Sequence, residues 1–176
     1  MITSHTLNAR RKQSGITLIE VSIGLIIAAI VAAAAFIAFQ NNARRTEVQD
    51  NIKQITEVIS ETKQKIGSTS GYAGLDNTVA TQLAILTAID QDNSYGGDIT
   101  LADVDGNENL ATLTWTGVEG DQCTDIILAV ANGITNVTGV GDVVPVTNGQ
   151  IALADTADVC GDGEAPVTLV MEFGRR

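Results

Sequence analysis

Four stretches of different polarity follow one another along the chain. Residues 1–15, MITSHTLNARRKQSG, are polar and end in a basic cluster followed by Gly15, the pattern of a cytoplasmic leader with no fixed structure of its own. Residues 16–39, ITLIEVSIGLIIAAIVAAAAFIAF, are apolar around every face of a helix, with Glu20 as their one formal charge. At about 1.5 Å per residue a helix of that length crosses a bilayer. Residues 40–66 contain neither Gly nor Pro, and Val48, Ile52, Ile55, Ile59, Thr62 and Ile66 recur at a 4-3-4-3-4 spacing that gathers them into one stripe. The charges occupy the other faces, with Glu57 and Glu61 in reach of Lys53, Lys63 and Lys65 on neighbouring turns. Such a stripe could be a coiled-coil seam, but it lasts under three heptads, so it is expected to pack on the chain's own sheet. Gly67 is the expected C′ residue that ends the helix.

From residue 67 onward the periodicity is mixed. After GSTSGYAGLDN, residues 78–89 suit a short helix. Residues 98–104 and 110–116 alternate as strands do, and the intervening DGNEN makes a hairpin of them. A short helix is expected over 123–132. Weaker strands are expected around Val143–Val146 and Gln150–Leu153, within a loop-rich stretch from Gly133 to Gly163. The run VTLVMEF, residues 167–173, reads as a central strand. A long helix followed by an antiparallel sheet is an α+β protein. The expected organisation is therefore a leader (1–15), a membrane-crossing half-helix (16–39), an amphipathic half-helix (40–66) and a globular head (67–176).

Charge sharpens this division. From Ile66 to Gly174 there are sixteen Asp or Glu and not one Lys or Arg. The formal charge of the whole chain is −11, and loss of residues 1–15 would remove Arg10, Arg11 and Lys12 and take it to −14. A head of that sign repels phosphate backbones, so no nucleic-acid partner is expected. The single histidine, His5, lies in the leader, which leaves the rest without His-based acid–base, nucleophile or metal chemistry. No catalytic residue and no cofactor are expected. The basic residues ahead of residue 16 place that side of the membrane span in the cytoplasm. A cleaved secretory signal ending near Ala32-Ala33-Ala34 fits less well, because the apolar run continues past that point and opens with a glutamate. Cys123 and Cys160 fit no metal-binding spacing; in an exported head a disulfide is their default, closing a loop worth roughly 4 kcal/mol in the chain-entropy account.

The stretch Lys12-Gln-Ser-Gly-Ile-Thr-Leu-Ile-Glu-Val21 resembles the processing site of type IV prepilins: bases, a small pair ending in glycine, then an apolar run broken by a carboxylate at its fifth position. The resemblance implies that a prepilin peptidase cuts between Gly15 and Ile16 and methylates the new N-terminus. Physical chemistry gives the cut a reason. A carboxylate in hydrocarbon costs on the order of several kcal/mol without a partner. The amine freed at Ile16, with a pKa of about 8, is such a partner. Glu20 would then act as an assembly peg, meeting an Ile16 amine only at the correct stagger between subunits. A simpler role, a carboxylate snorkelling at the interface of a single-pass anchor, does not account for its spacing from a glycine-ended basic leader.

The longer leader, Ile rather than Phe at the first mature position, and a Cys opening a short helix after a hairpin resemble the type IVb subclass, and look like its conjugative thin-pilus and toxin-coregulated pilin group. That resemblance implies a pilin fold, a long N-terminal helix on an antiparallel sheet with a Cys123–Cys160 disulfide. It also implies self-association into a helical homopolymer, an assembly ATPase and an inner-membrane platform as partners, and passage from the inner membrane to an extracellular pilus. A pseudopilin of a type II secretion system is the alternative, and a monomeric membrane-anchored binding protein a second. One further pattern, Asp103, Asp105 and Glu108, looks like a piece of a calcium loop, but Leu101 and Thr112 stand where two ligands belong. Asp-Gly is common turn chemistry, and a turn is the expectation taken here.

Overall fold

The structure is a computed structural model that describes residues 17–87 and 91–175, so Gly15 and Ile16 lie outside the described residues. Helix α1 runs from Leu18 to Thr62. The chain divides into two compact units between Ala43 and Arg44. In the first, the α1 side chains are exposed all round, with Ser22 alone half-covered. The most apolar window of the helix has a mean hydropathy of 2.7 with none of it buried. Leu18 is 88% and Phe39 72% exposed, an apolar surface of the kind that marks a membrane or protein contact. Ser22 does not interrupt the apolar face, because its hydroxyl donates to the Ile19 carbonyl at 2.9 Å.

The second unit is a five-stranded antiparallel sheet backed by the rest of α1. Its strands are β1 (Ile99–Val104), β2 (Asn107–Val118), β3 (Asn136–Thr138), β4 (Val144–Pro145) and β5 (Val167–Gly174), in the order β1-β2-β5-β3-β4. Three short helices join them: α2 (Asn77–Gln82), α3 (Gly120–Val130) and α4 (Thr156–Cys160). Strand alternation decides which face is buried. Ala111, Leu113 and Trp115 of β2 stand opposite Phe173, Met171 and Leu169 of β5. All six are fully buried, with Ile99 and Leu101 of β1 beside them. Ile55, Val58 and Ile59 of α1, and Ile66 just beyond it, enter the same core. The apolar stripe therefore packs within its own chain, as its short length predicted. Asn51 is buried with it and accepts a hydrogen bond from the indole N–H of Trp115 at 3.1 Å, while its own amide donates to the Glu47 carbonyl. This polar contact fixes the rotation of the helix over the sheet.

Several boundaries differ from the sequence reading. The hairpin closes through two residues, Asp105 and Gly106, with Val104 paired to Asn107; Gly106 takes φ +77°, which glycine adopts without penalty. Strand β2 is consequently longer at both ends than residues 110–116. Gly67 does not end the helix as a left-handed C′ residue. The last turn, Lys63–Gly67, widens to a π-helical turn followed by Ser68 in right-handed geometry. Glycine is required there because a Cβ would collide with the phenol of buried Tyr72. Of the expected cations, Lys65 bridges Glu61 at 2.9 Å. Lys63 turns instead to the Gly133 carbonyl and lies 5.8 Å from the Phe173 ring centre. Helix α2 is shorter than residues 78–89 among the described residues, and α3 starts at Gly120 rather than Cys123. Only Val144–Pro145 of the weak strand near 143–146 is a strand. Residues 150–153 give an isolated bridge from Thr147 to Gln150, then a 3-10 turn, Leu153–Asp155, that leads into α4.

Candidate functional site

Helix α1 opens with Thr17-Leu-Ile-Glu20, and its two polar side chains bond to each other's backbone. The Glu20 carboxylate oxygen Oε2 accepts from the Thr17 backbone N–H and from the Thr17 hydroxyl, both at 2.9 Å. The Glu20 N–H in turn donates to the Thr17 carbonyl at 3.0 Å and approaches the Thr17 Oγ1 at 3.4 Å. This is a capping box, the reciprocal arrangement that satisfies backbone donors left over at a helix start. Its position matters more than its geometry. Unpaired N–H groups at a helix start cost free energy wherever water is excluded, and the Glu20 carboxylate satisfies one of them, the Thr17 N–H. Thr17 was not foreseen as part of the site. The signal was available in the Thr-x-x-Glu spacing ahead of an apolar run.

The other candidate residues lie apart from Glu20. Cys123 in α3 and Cys160 at the end of α4 form a disulfide with Cα atoms 5.7 Å apart, both fully or nearly buried. The bridge ties α4 and the loops before β5 to the helix that follows the hairpin. Asp103, Asp105 and Glu108 do not converge. The Asp103 carboxylate accepts a hydrogen bond from the Gly74 N–H at 2.8 Å, Asp105 occupies the hairpin turn, and among the described residues no three His, Cys, Asp or Glu side chains gather as a metal would require.

A polar junction joins α1 to α3. Arg44 reaches Asp121 at 2.5 Å and Glu119 at 3.8 Å. Beside it the Tyr95 hydroxyl donates to the Gln122 side-chain carbonyl at 2.7 Å. Burial, reinforced by the carboxylates of Glu47, Glu119 and Asp121, raises the Tyr95 phenol well above its ordinary value. Tyr72 is raised too, by burial and against the partial relief of the Arg175 charge. Neither phenol is poised for chemistry near neutral pH.

A helix apolar on all sides at its start, continued beneath an antiparallel sheet with one disulfide, is the architecture of a type IV pilin. The fold is similar to that of TcpA, a type IV pilin from Vibrio cholerae El Tor biotype, with a TM-score of 0.54 at 15% identity over 72% of this chain and 98% of that one. A type IV b pilin from Salmonella typhi is 20% identical over 73% of this chain and 98% of its own, with a TM-score of 0.43. No curated protein matches the chain. The prokaryotic N-terminal methylation motif matches residues 10–36, and the family described as PilS N terminal matches residues 44–172. The chain belongs to the PilS family and is a structural subunit of the type IV pilin class.

Proposed function

We propose that the chain is the precursor of the major subunit of a type IVb pilus, a filament protein with no catalytic site of its own. Prepilin peptidase cuts it after Gly15 and methylates Ile16. The precursor waits in the inner membrane with its apolar half-helix in lipid and its acidic head outside. An assembly ATPase and an inner-membrane platform then move it into a helical homopolymer on the cell surface. The observation that carries this reading is the carboxylate of Glu20 at the head of a helix segment that is apolar on every side and exposed along its length.

Hydrophobic helices lose no further water on leaving lipid, so helix packing and polar contacts must select the docking register. Glu20 serves both needs. Within the subunit it caps its own helix through Thr17. Between subunits it offers its charge to a methylated amine at Ile16. Glu20→Ala would remove both contacts and is expected to abolish surface filaments while leaving the protein in the membrane fraction. Intact mass and N-terminal sequence of the isolated protein test the cut directly. A mature chain that begins anywhere but at methylated Ile16 would refute the proposed maturation.

A further inference from the structure

The head carries an acidic and apolar strip, and residues 66–174 offer it no counter-charge. After β3 the chain runs alongside α4, with the Val140 N–H bonded to the Val159 carbonyl at 3.0 Å and the Gly141 N–H to the Asp158 carbonyl at 2.8 Å. On this strip Val140 and Val143 are 59% and 57% exposed. Leu153, in the turn leading into α4, is 73% exposed. Asp142 and Asp158 stand exposed among them, with Asp155 half-covered. An apolar centre edged with charge is the anatomy of a protein interface.

The charge inventory says where a partner surface lies. Because residues 66–174 hold no Lys or Arg, a second copy can answer this strip only from α1, from the Lys63–Gly67 turn that follows it, or from Arg175 among the described residues. Most of those cations are engaged. Arg44 is held by Asp121 and Glu119, Lys65 by Glu61, Lys63 by the Gly133 carbonyl, and Arg175 by the Gly67 carbonyl and the Asn109 side chain. Lys53 shares a groove with Asp50, Glu57 and Glu61. Arg45 is exposed and makes no ion pair among the described residues. It borders a groove lined by the half-buried Val48 and Ile52 and by Asp121, Gln122 and Asp125 of α3, with Asp121 already paired to Arg44.

Resting on the filament reading above, we infer that the Val140–Val143 and α4 strip of one subunit docks into the Arg45 groove of a second copy of this chain, with Asp142 and Asp158 meeting Arg45. The two surfaces differ, so the contact is head-to-tail and propagates into an open polymer instead of closing into a dimer. It also addresses a difficulty of the filament. Subunits of formal charge −14 repel one another at close quarters, and a cation placed between two carboxylates of the neighbour turns part of that repulsion into attraction. Asp125 of α3 disfavours entry of the carboxylates on that side, which orients the incoming strip toward α1.

The test uses the full chain in cells that assemble filaments. Arg45→Glu and Asp158→Arg are each expected to lower the yield of sheared filament about tenfold, the loss that corresponds to one unfavourable charge contact, and the combined variant to recover to within about threefold of the unaltered chain. Yields are referred to membrane-held subunit with its disulfide intact. Singles that assemble normally, or a combined variant no better than the singles, would overturn the inference. If a single variant fails to accumulate, a second measurement decides. Filaments of R45K treated with a carbodiimide, which condenses amine and carboxylate with net loss of water, should yield a peptide joining position 45 to Asp142, Asp155 or Asp158. That peptide should be absent from detergent-solubilised monomer; its absence from filaments, or a link to other acids, rejects the docking. Absence of filaments from the unaltered chain would instead refute the pilus reading, before any variant is compared.

Discussion

Glu20 and Asn51 are both polar side chains on an otherwise apolar helix surface, and only one of them announces itself. Glu20 is the one formal charge in residues 16–39 and sits five residues beyond Gly15, a spacing that singles it out for the role proposed above. Asn51 lies one turn before Ile55 in a polar segment, and nothing nearby marks it. Its burial is imposed from afar by Trp115, whose indole N–H needs an acceptor once the ring is inside. Asn51→Leu should cost about 1–3 kcal/mol by stranding that donor. In urea unfolding of the full chain in detergent, combining it with Trp115→Phe should cost less than the sum of the two. Tyr95 gives a second test at this scale. Its phenol is raised above an ordinary 10.0 in the folded state, so its contribution to stability is complete below that pH and is lost as pH climbs through the higher folded value. Unfolding at increasing pH should show stability declining above about pH 10, with a shallower decline in Tyr95→Phe.

Elements defined by a single period were readable, and those defined by partners were not. The amphipathic stripe from Val48 to Ile66 and the alternation in residues 167–173 each meet one large apolar surface, so their pattern is strong. Strand β3 has three residues and α4 five, too few for any period to register. They are held by neighbours: β3 by its pairing with β5, and α4 by the disulfide and by backbone bonds to the 140–141 strip. Replacing both cysteines by serine should therefore loosen this region first. A loss of about 2–5 kcal/mol is expected, with hydrogen exchange rising earliest around α4. The end of α1 was misread for a related reason. Gly67 looked like a cap, but its role is to leave room for a phenol five residues on. Gly67→Ala should destabilise the chain by about 1–3 kcal/mol, and Tyr72→Phe in the same chain should recover part of the loss in thermal unfolding.

On the scale of the whole molecule, the separation of apolar helix, basic segment and acidic head could be read directly from residue order. The junction of Arg44 with α3 could not, since it depends on tertiary placement of Glu119 and Asp121. The charge excess has a consequence for assembled filaments. In filaments of the proposed kind, neutralising the carboxylates in acid removes the repulsion between filament surfaces. Filaments should then bundle and sediment at low speed, and disperse again on return to neutral pH. The place of β5 imposes a different kind of constraint. It is the latest of the five strands in chain order, yet it lies at the centre of the sheet between β2 and β3. The full sheet cannot form until residues 167–174 are available, so the β1–β2 hairpin lacks its central partner until β5 arrives. Cys123 and Cys160 both precede β5 in the chain, so their disulfide can close before the sheet does. Completion of the head is thus a timed event: the chain becomes a subunit only when β5 arrives to lock the rest.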